Sequence, residues 1–140
     1  MIKMKRFLDK YLHFVCIAII AIVFSYGYIR SYFDLKYLLT SPKYTVAVIV
    51  SDWHHKNNNG VGVDYEYMVN NKKYSNTLNV NVKKDERYLL IFDSLKPKNN
   101  VLLDVYPIYE TVNPPTDGWT LSELPLKVDT AEIRNIVIGD

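Results

Sequence analysis

Between Lys10 and Arg30 the chain carries no charged residue. The run from Tyr11 to Ile29 reads Y-L-H-F-V-C-I-A-I-I-A-I-V-F-S-Y-G-Y-I. As a helix its residues rise about 28 Å, close to the roughly 30 Å hydrocarbon core of a bilayer. It is apolar all round, whereas a helix at the surface of a soluble core keeps a polar stripe. A core helix is also usually shorter. A cleaved signal peptide needs small residues at the cut, and Ser25-Tyr26-Gly27 supplies them only among large aromatics. Tyr11 at one end, and Tyr26, Tyr28, Tyr32 and Phe33 at the other, match the aromatic belts of the two membrane interfaces. The run is therefore expected to be an uncleaved transmembrane helix over residues 11–29, in contact with the lipid bilayer.

Charge supports this division. Lys3, Lys5, Arg6 and Lys10, offset by Asp9, give +3 before the span, so the remaining chain carries about −1 of the +2 total. A nearly neutral domain has no basic stripe to attract nucleic acid, and no nucleic-acid partner is expected. Arg30, Lys36 and Lys43 follow the span. The bias is slight, and it places the N-terminus inside and the C-terminal domain outside, in the bacterial inner membrane. The one cysteine, Cys16, lies within the apolar run, so no intramolecular disulfide is available.

Residues 30–42 continue at helical spacing as a stalk, which Ser41-Pro42 should end, because the residue before proline is pushed out of helical geometry. Lys43 to Val50 is β-branched and nearly all apolar, and is expected to be the most buried strand. Asp52 to Gly60 reads as a polar loop. Val61 to Val69 alternates apolar and polar positions, the pattern of a strand with one face in a core. Asn70-Asn71 suits a two-residue turn, since Asn tolerates positive φ. Lys72 to Val82 would be its hairpin partner. Arg87 to Asp93 and Val101 to Tyr106 are expected as a fourth and a fifth strand. Residues 111–125, with Pro114-Pro115 and Asp117-Gly118, read as irregular, with Trp119 tucked against the sheet. Asp129 to Glu132 resembles a capping box ahead of a short helix that Gly139 would end, a strand being the alternative.

The expected fold is mainly β with an N-terminal transmembrane helix. Its β domain, residues 43–110, is an antiparallel meander of about five strands forming an open barrel or rolled sheet. The other divisions are a basic flank at 1–10, the span at 11–29, the stalk at 30–42 and an irregular segment with a short C-terminal helix at 111–140.

About Tyr44 to Tyr106, the chain carries V-D-Y-E-Y-M-V-N-N-K-K-Y (Val63 to Tyr74), R-Y-L-L-I-F-D (Arg87 to Asp93) and K-P-K-N-N-V-L-L (Lys96 to Leu103). This resembles a bacterial domain-of-unknown-function family with one or two membrane helices and a small β domain. Lys96 stands where the family commonly has Asn before the proline, and Asn70-Asn71 fills a turn often made with Gly. The resemblance implies an anchored β domain, and neither an activity nor a functional residue.

No motif for phosphate cradling, nucleophilic catalysis or haem attachment is present. His54-His55, with Asp52 nearby and Asp64 or Glu66 across the hairpin, lacks the recurrent four-ligand spacing of a structural metal site, so no metal or cofactor is expected. Asp64 and Glu66 share a strand face, which alternation alone explains. The expected function is therefore not an enzyme's. It is that of a protein-interaction or scaffolding module recognising an unidentified protein through a rim or strand edge, either the first or the fifth strand. The alternatives are a binder of small ligands or envelope polymers, with Trp53, Trp119 and tyrosines around an apolar cleft, and an immunity-type protective protein. The interaction candidates are Trp53, His54, His55, Tyr65, Tyr67 and Trp119.

Overall fold

The computed structural model describes residues 2–56 and 60–139. Two compact units divide the chain at Asp34/Leu35. The N-terminal unit is the greater part of helix α1, Ile2–Thr40. The stretch Tyr11–Thr40 is long and apolar enough to cross a membrane, and none of its most apolar window is buried against the protein. Phe14, Ile22 and Phe24 stand in the open. That exposure sets aside the core-helix alternative, because a core helix hides its apolar side chains within its own fold. The basic side chains of residues 1–10 lie outside the described set.

In the second unit, α1 ends at Thr40, directly before Ser41-Pro42, as the sequence requires. Among the described residues six antiparallel strands follow: β1 Pro42–Ile49, β2 His54–Lys56, β3 Gly60–Val69, β4 Lys72–Leu78, β5 Arg87–Asp93 and β6 Asn100–Pro107. A single 3-10 turn, Leu121–Glu123, interrupts the irregular segment, and helix α2, Thr130–Ile138, closes the fold. Asp129 caps α2 by accepting from the backbone N–H groups of Ala131 and Glu132, and Gly139 ends it at φ 78°.

The strands are not in meander order. β1 lies at the centre, paired with β3 on one side (Ala47 opposite Tyr67) and β5 on the other (Tyr44 opposite Ile91). β6 continues outward from β5, and β4 from β3. The chain between β4 and β5 must therefore cross from one side of β1 to the other. The compositions explain it. β1 is nearly all apolar and gains from a partner on each flank, whereas β4 (K-K-Y-S-N-T-L) suits an edge that water can solvate. The sheet is open rather than a barrel, with β4 and β6 as separate edges. The first strand, expected as one of two recognition edges, is interior to the sheet.

The expected polar loop at 52–60 contains β2. It pairs with Gly60–Gly62, just beyond the stretch of β3 that β1 covers, so it continues the line of β1 after the interruption Val50–Trp53. Residues 57–59 lie outside the described set. The Asn70-Asn71 turn is as expected, with φ of 51° and 60° and the one-to-one register of Val69 with Lys72.

Both faces of the sheet carry a core. On one, Tyr44, Val46, Leu89, Ile91 and Leu103 pack with Leu38 of α1, Ile133 and Val137 of α2, and Trp119. On the other, Ala47, Ile49, Val63, Tyr65, Tyr67, Leu90, Phe92 and Leu102 gather, with Val80 and Val82 of the crossing segment against them. β5 serves both cores, and every residue from Tyr88 to Asp93 is buried. β1, expected to be the most buried, is less so than β5, because its Val48 emerges.

Candidate functional site

The first face is covered unevenly. The last turn of α1 around Leu38, together with α2 and the C-terminal segment, packs on β5, β6 and the start of β1. Over the end of β1, over β3 and over β4 the same face stays open. Period-two alternation brings Val46 and Val48 of β1 to this side, with Glu66 and Met68 of β3 and Lys73 of β4. These side chains, with Val50, Arg87 and Pro114, line a recess of about 500 Å³. Met68 is 50% exposed and Val48 36%.

The rim carries one carboxylate, Glu66, and two cations, Lys73 and Arg87. Lys73 Nζ sits 2.6 Å from Glu66 Oε2. The Arg87 guanidinium donates to the carbonyls of Glu110 and Val112, both at 2.9 Å, which ties the C-terminal segment along one wall. A recess with an apolar floor accepts apolar side chains, and its rim carries one cation, Arg87, beyond the Lys73–Glu66 pair.

The six sequence candidates fall in three places. Trp53, His54 and His55 form a corner at β2. The Trp53 ring stands edge-on to His55 at 5.1 Å, half exposed, and its Nε1 donates to Asn79 Oδ1 at 3.1 Å. His54 Nδ1 lies 2.9 Å from the Asp52 carbonyl, and Nε2 lies 3.5 Å from Asp64 Oδ2. The Thr77 hydroxyl also donates to Asp64, at 2.5 Å. Asp64 thus does reach the histidine across the hairpin, while Glu66 turns to Lys73. The Asp64 contact links β2 to β3, while the Asp52 carbonyl, two residues back in the chain, orients the ring. Among the described residues no three His, Cys, Asp or Glu side chains gather as a metal would require.

Tyr65 and Tyr67 are interior. Their rings stack at 6.3 Å, and Tyr74 stacks on Tyr67 at 5.4 Å. Tyr65 donates to Asn100 Oδ1 and Tyr67 to the Pro97 carbonyl, each at 2.7 Å, so both hydroxyls reach the β5–β6 turn. Burial raises the Tyr65 phenol to about 12, with an Asn76 hydrogen bond pulling the other way. The Tyr67 phenol is raised further, first by burial and then by its neighbours Tyr65 and Tyr74. Trp119 is also interior, 6% exposed, and exchanges backbone hydrogen bonds with Tyr44 (2.8 and 2.9 Å) on the opposite face from the tyrosines. Trp53, Trp119 and the tyrosines therefore do not line a common cleft. Amphipathic rings make the tyrosines and Trp119 candidates on sequence grounds, and here those rings fill cores.

Sequence reasoning does not single out the recess residues. One signal is available. Met68 breaks the polar series Asp64, Glu66, Met68 on the β3 face that alternation assigns away from the tyrosine core. No family model, curated protein or solved structure matches this chain.

Proposed function

We propose that this chain is a single-pass membrane protein whose β domain binds another polypeptide, serving as a tethered interaction or scaffolding module rather than an enzyme. The anchor is residues 11–29, uncleaved, with the N-terminus inside and the domain outside a bacterial cytoplasmic membrane. The four cations before the span, against three after it, favour that direction.

The observation that carries the reading is the open half of the sheet face. Val48 and Met68 are exposed at a concave recess on the sheet, inside a rim where Lys73 is paired with Glu66 and Arg87 is held by two backbone carbonyls. Apolar side chains of a partner gain there by leaving water, at roughly 25 cal/mol per Å² buried. Recognition of an envelope polymer is less favoured. Glycan and polymer sites draw on several exposed aromatic faces together, and of the candidate tryptophans and tyrosines Trp53 alone is half exposed, Tyr65, Tyr67 and Trp119 being interior.

The test is co-purification in mild detergent from the native membrane, comparing wild type with Met68→Glu. A glutamate there places a charge on the recess floor beside Glu66 and should release the partner while leaving the two cores intact. If Met68→Glu retains the same partners at the same yield, the recess is not the binding surface and this reading fails.

A further inference from the structure

We propose that the β5–β6 turn, residues 94–99, is a second membrane contact that seats its leucine tip among anionic lipid headgroups. The proposal rests on the membrane-anchor reading of α1 and concerns a different surface from the recess.

Leu95 is 84% exposed. A single exposed leucine would need no explanation, but three features set this one apart. The turn is built rather than slack. The buried carboxylate of Asp93 accepts from the Leu95 N–H at 2.9 Å, and the Lys96 N–H donates to the Asp93 carbonyl at 3.1 Å. The Asn99 N–H then donates to the Lys96 carbonyl at 2.8 Å, and the Tyr67 hydroxyl holds the Pro97 carbonyl from below. The leucine is thus presented by a preordered backbone, which lowers the entropy lost on contact.

The second feature is charge. Lys96 and Lys98 are exposed beside Leu95, while the carboxylate of Asp93, the acid of the turn, is buried and accepts from the Leu95 N–H. A leucine followed closely by two lysines is the pattern of an interfacial anchor, the apolar group entering the headgroup boundary and the ammonium groups meeting anionic lipid.

The third is chain position. The Ser94 N–H donates to the carbonyl of Ser41, the first residue after α1, at 3.2 Å. Ser41 follows Ile29 by twelve residues, so as a helix the intervening chain spans at most about 18 Å. The turn is therefore tied to the point where the chain arrives from the span. Lys84, by contrast, precedes Asp85, whose N–H bonds the Ile49 carbonyl at the far end of β1.

The experiment uses the full chain with Cys16→Ser, reconstituted in vesicles of phosphatidylcholine alone or mixed with phosphatidylglycerol. Nitroxide labels are placed at Leu95→Cys, at Lys84→Cys and, within the span, at Val23→Cys. Collision with oxygen and with a water-soluble nickel chelate then reports the surroundings of each label. The expected result is a label at 95 shielded from nickel relative to the label at 84, more so in anionic vesicles. Lys96→Glu with Lys98→Glu should remove that lipid dependence, each lysine being worth about fivefold in surface preference. If the label at 95 is as nickel-accessible as that at 84 in both vesicles while the label at 23 reads lipid, the proposal is overturned and the anchor stands. If labels at 95 broaden one another, the turn meets a second copy and the proposal is likewise overturned. A nickel-accessible label at 23 overturns the anchor reading and this proposal with it.

Discussion

The tyrosine core makes the domain sensitive to alkali, and the contribution of one hydroxyl, that of Tyr65, can be isolated. Tyr65 is 2% exposed, and its phenol is raised from 10.0 to about 12 because burial disfavours the phenolate. A phenol raised on folding lends stability that is complete below the unfolded value and is lost as pH rises towards the folded one. The window is therefore about pH 10 to about pH 12. A tenfold change in an ionisation equilibrium is worth about 1.4 kcal/mol, so Tyr65 alone should remove about 1 kcal/mol by about pH 11 and about 2 kcal/mol by about pH 12. Tyr65→Phe keeps the ring and discards the titration. At neutral pH it loses the 2.7 Å bond to Asn100, a cost of about 1 kcal/mol, because Asn100 keeps access to water. The two stability curves must then cross near pH 11, with wild type the more stable below and the variant the more stable above. Urea unfolding of the detergent-solubilised chain at stepped pH, followed by near-UV circular dichroism, measures both curves. Parallel curves from neutral pH to about pH 12 would refute the argument, since they would mean that the Tyr65 phenol titrates alike in the folded and unfolded chain.

Other outcomes follow from single positions. Gly62→Ala should be severely destabilising, by about 3 kcal/mol or more, because its φ is 145° and a Cβ there would lie 2.1 Å from the Leu78 carbonyl oxygen; thermal melting measures it. Asn71→Val, at φ 60° in the hairpin turn, should cost about 1–2 kcal/mol in the same assay, whereas Asn71→Gly should cost nothing. Asp129→Ala removes the α2 cap and should cost about 1 kcal/mol, with faster amide exchange confined to residues 130–134. Ile20→Arg should raise the insertion cost of the span by roughly 3 kcal/mol and shift protein from the alkali-resistant membrane pellet to the supernatant.

Short-range stereochemistry is what the sequence makes legible. Asn70-Asn71 has to turn, Ser41-Pro42 has to stop a helix, and Asp129 and Gly139 bracket α2 by their own chemistry. The β3 alternation also assigns the correct inward face, ending with Tyr65, Tyr67 and Val69. Strand order is beyond reach, because local pattern does not say whether β5 pairs with β4 or with β1. β2 is hidden for a related reason. H-H-K has no strand propensity of its own and is held by the His54–Asp64 contact and by β3. The candidate residues fail where a ring's amphipathic character is taken for exposure. Tyr65 and Tyr67 can be interior because acceptors on a turn some thirty residues onward meet their hydroxyls. The recess escapes a reading of sequence because it is made by what does not cover it, and the reach of α2 and the C-terminal segment over the sheet is a tertiary fact.

The central position of β1 also sets a timetable. It is the first strand to be synthesised, yet Tyr44 has to wait for Ile91, 47 residues later, before its second flank is closed. At roughly 5–20 residues per second that interval is about 2–9 s. Throughout it an apolar strand has at most one neighbour. Nascent chains halted before Asp93 should therefore be protease-sensitive along β1, and a chaperone that shields extended apolar segments should protect it in that interval.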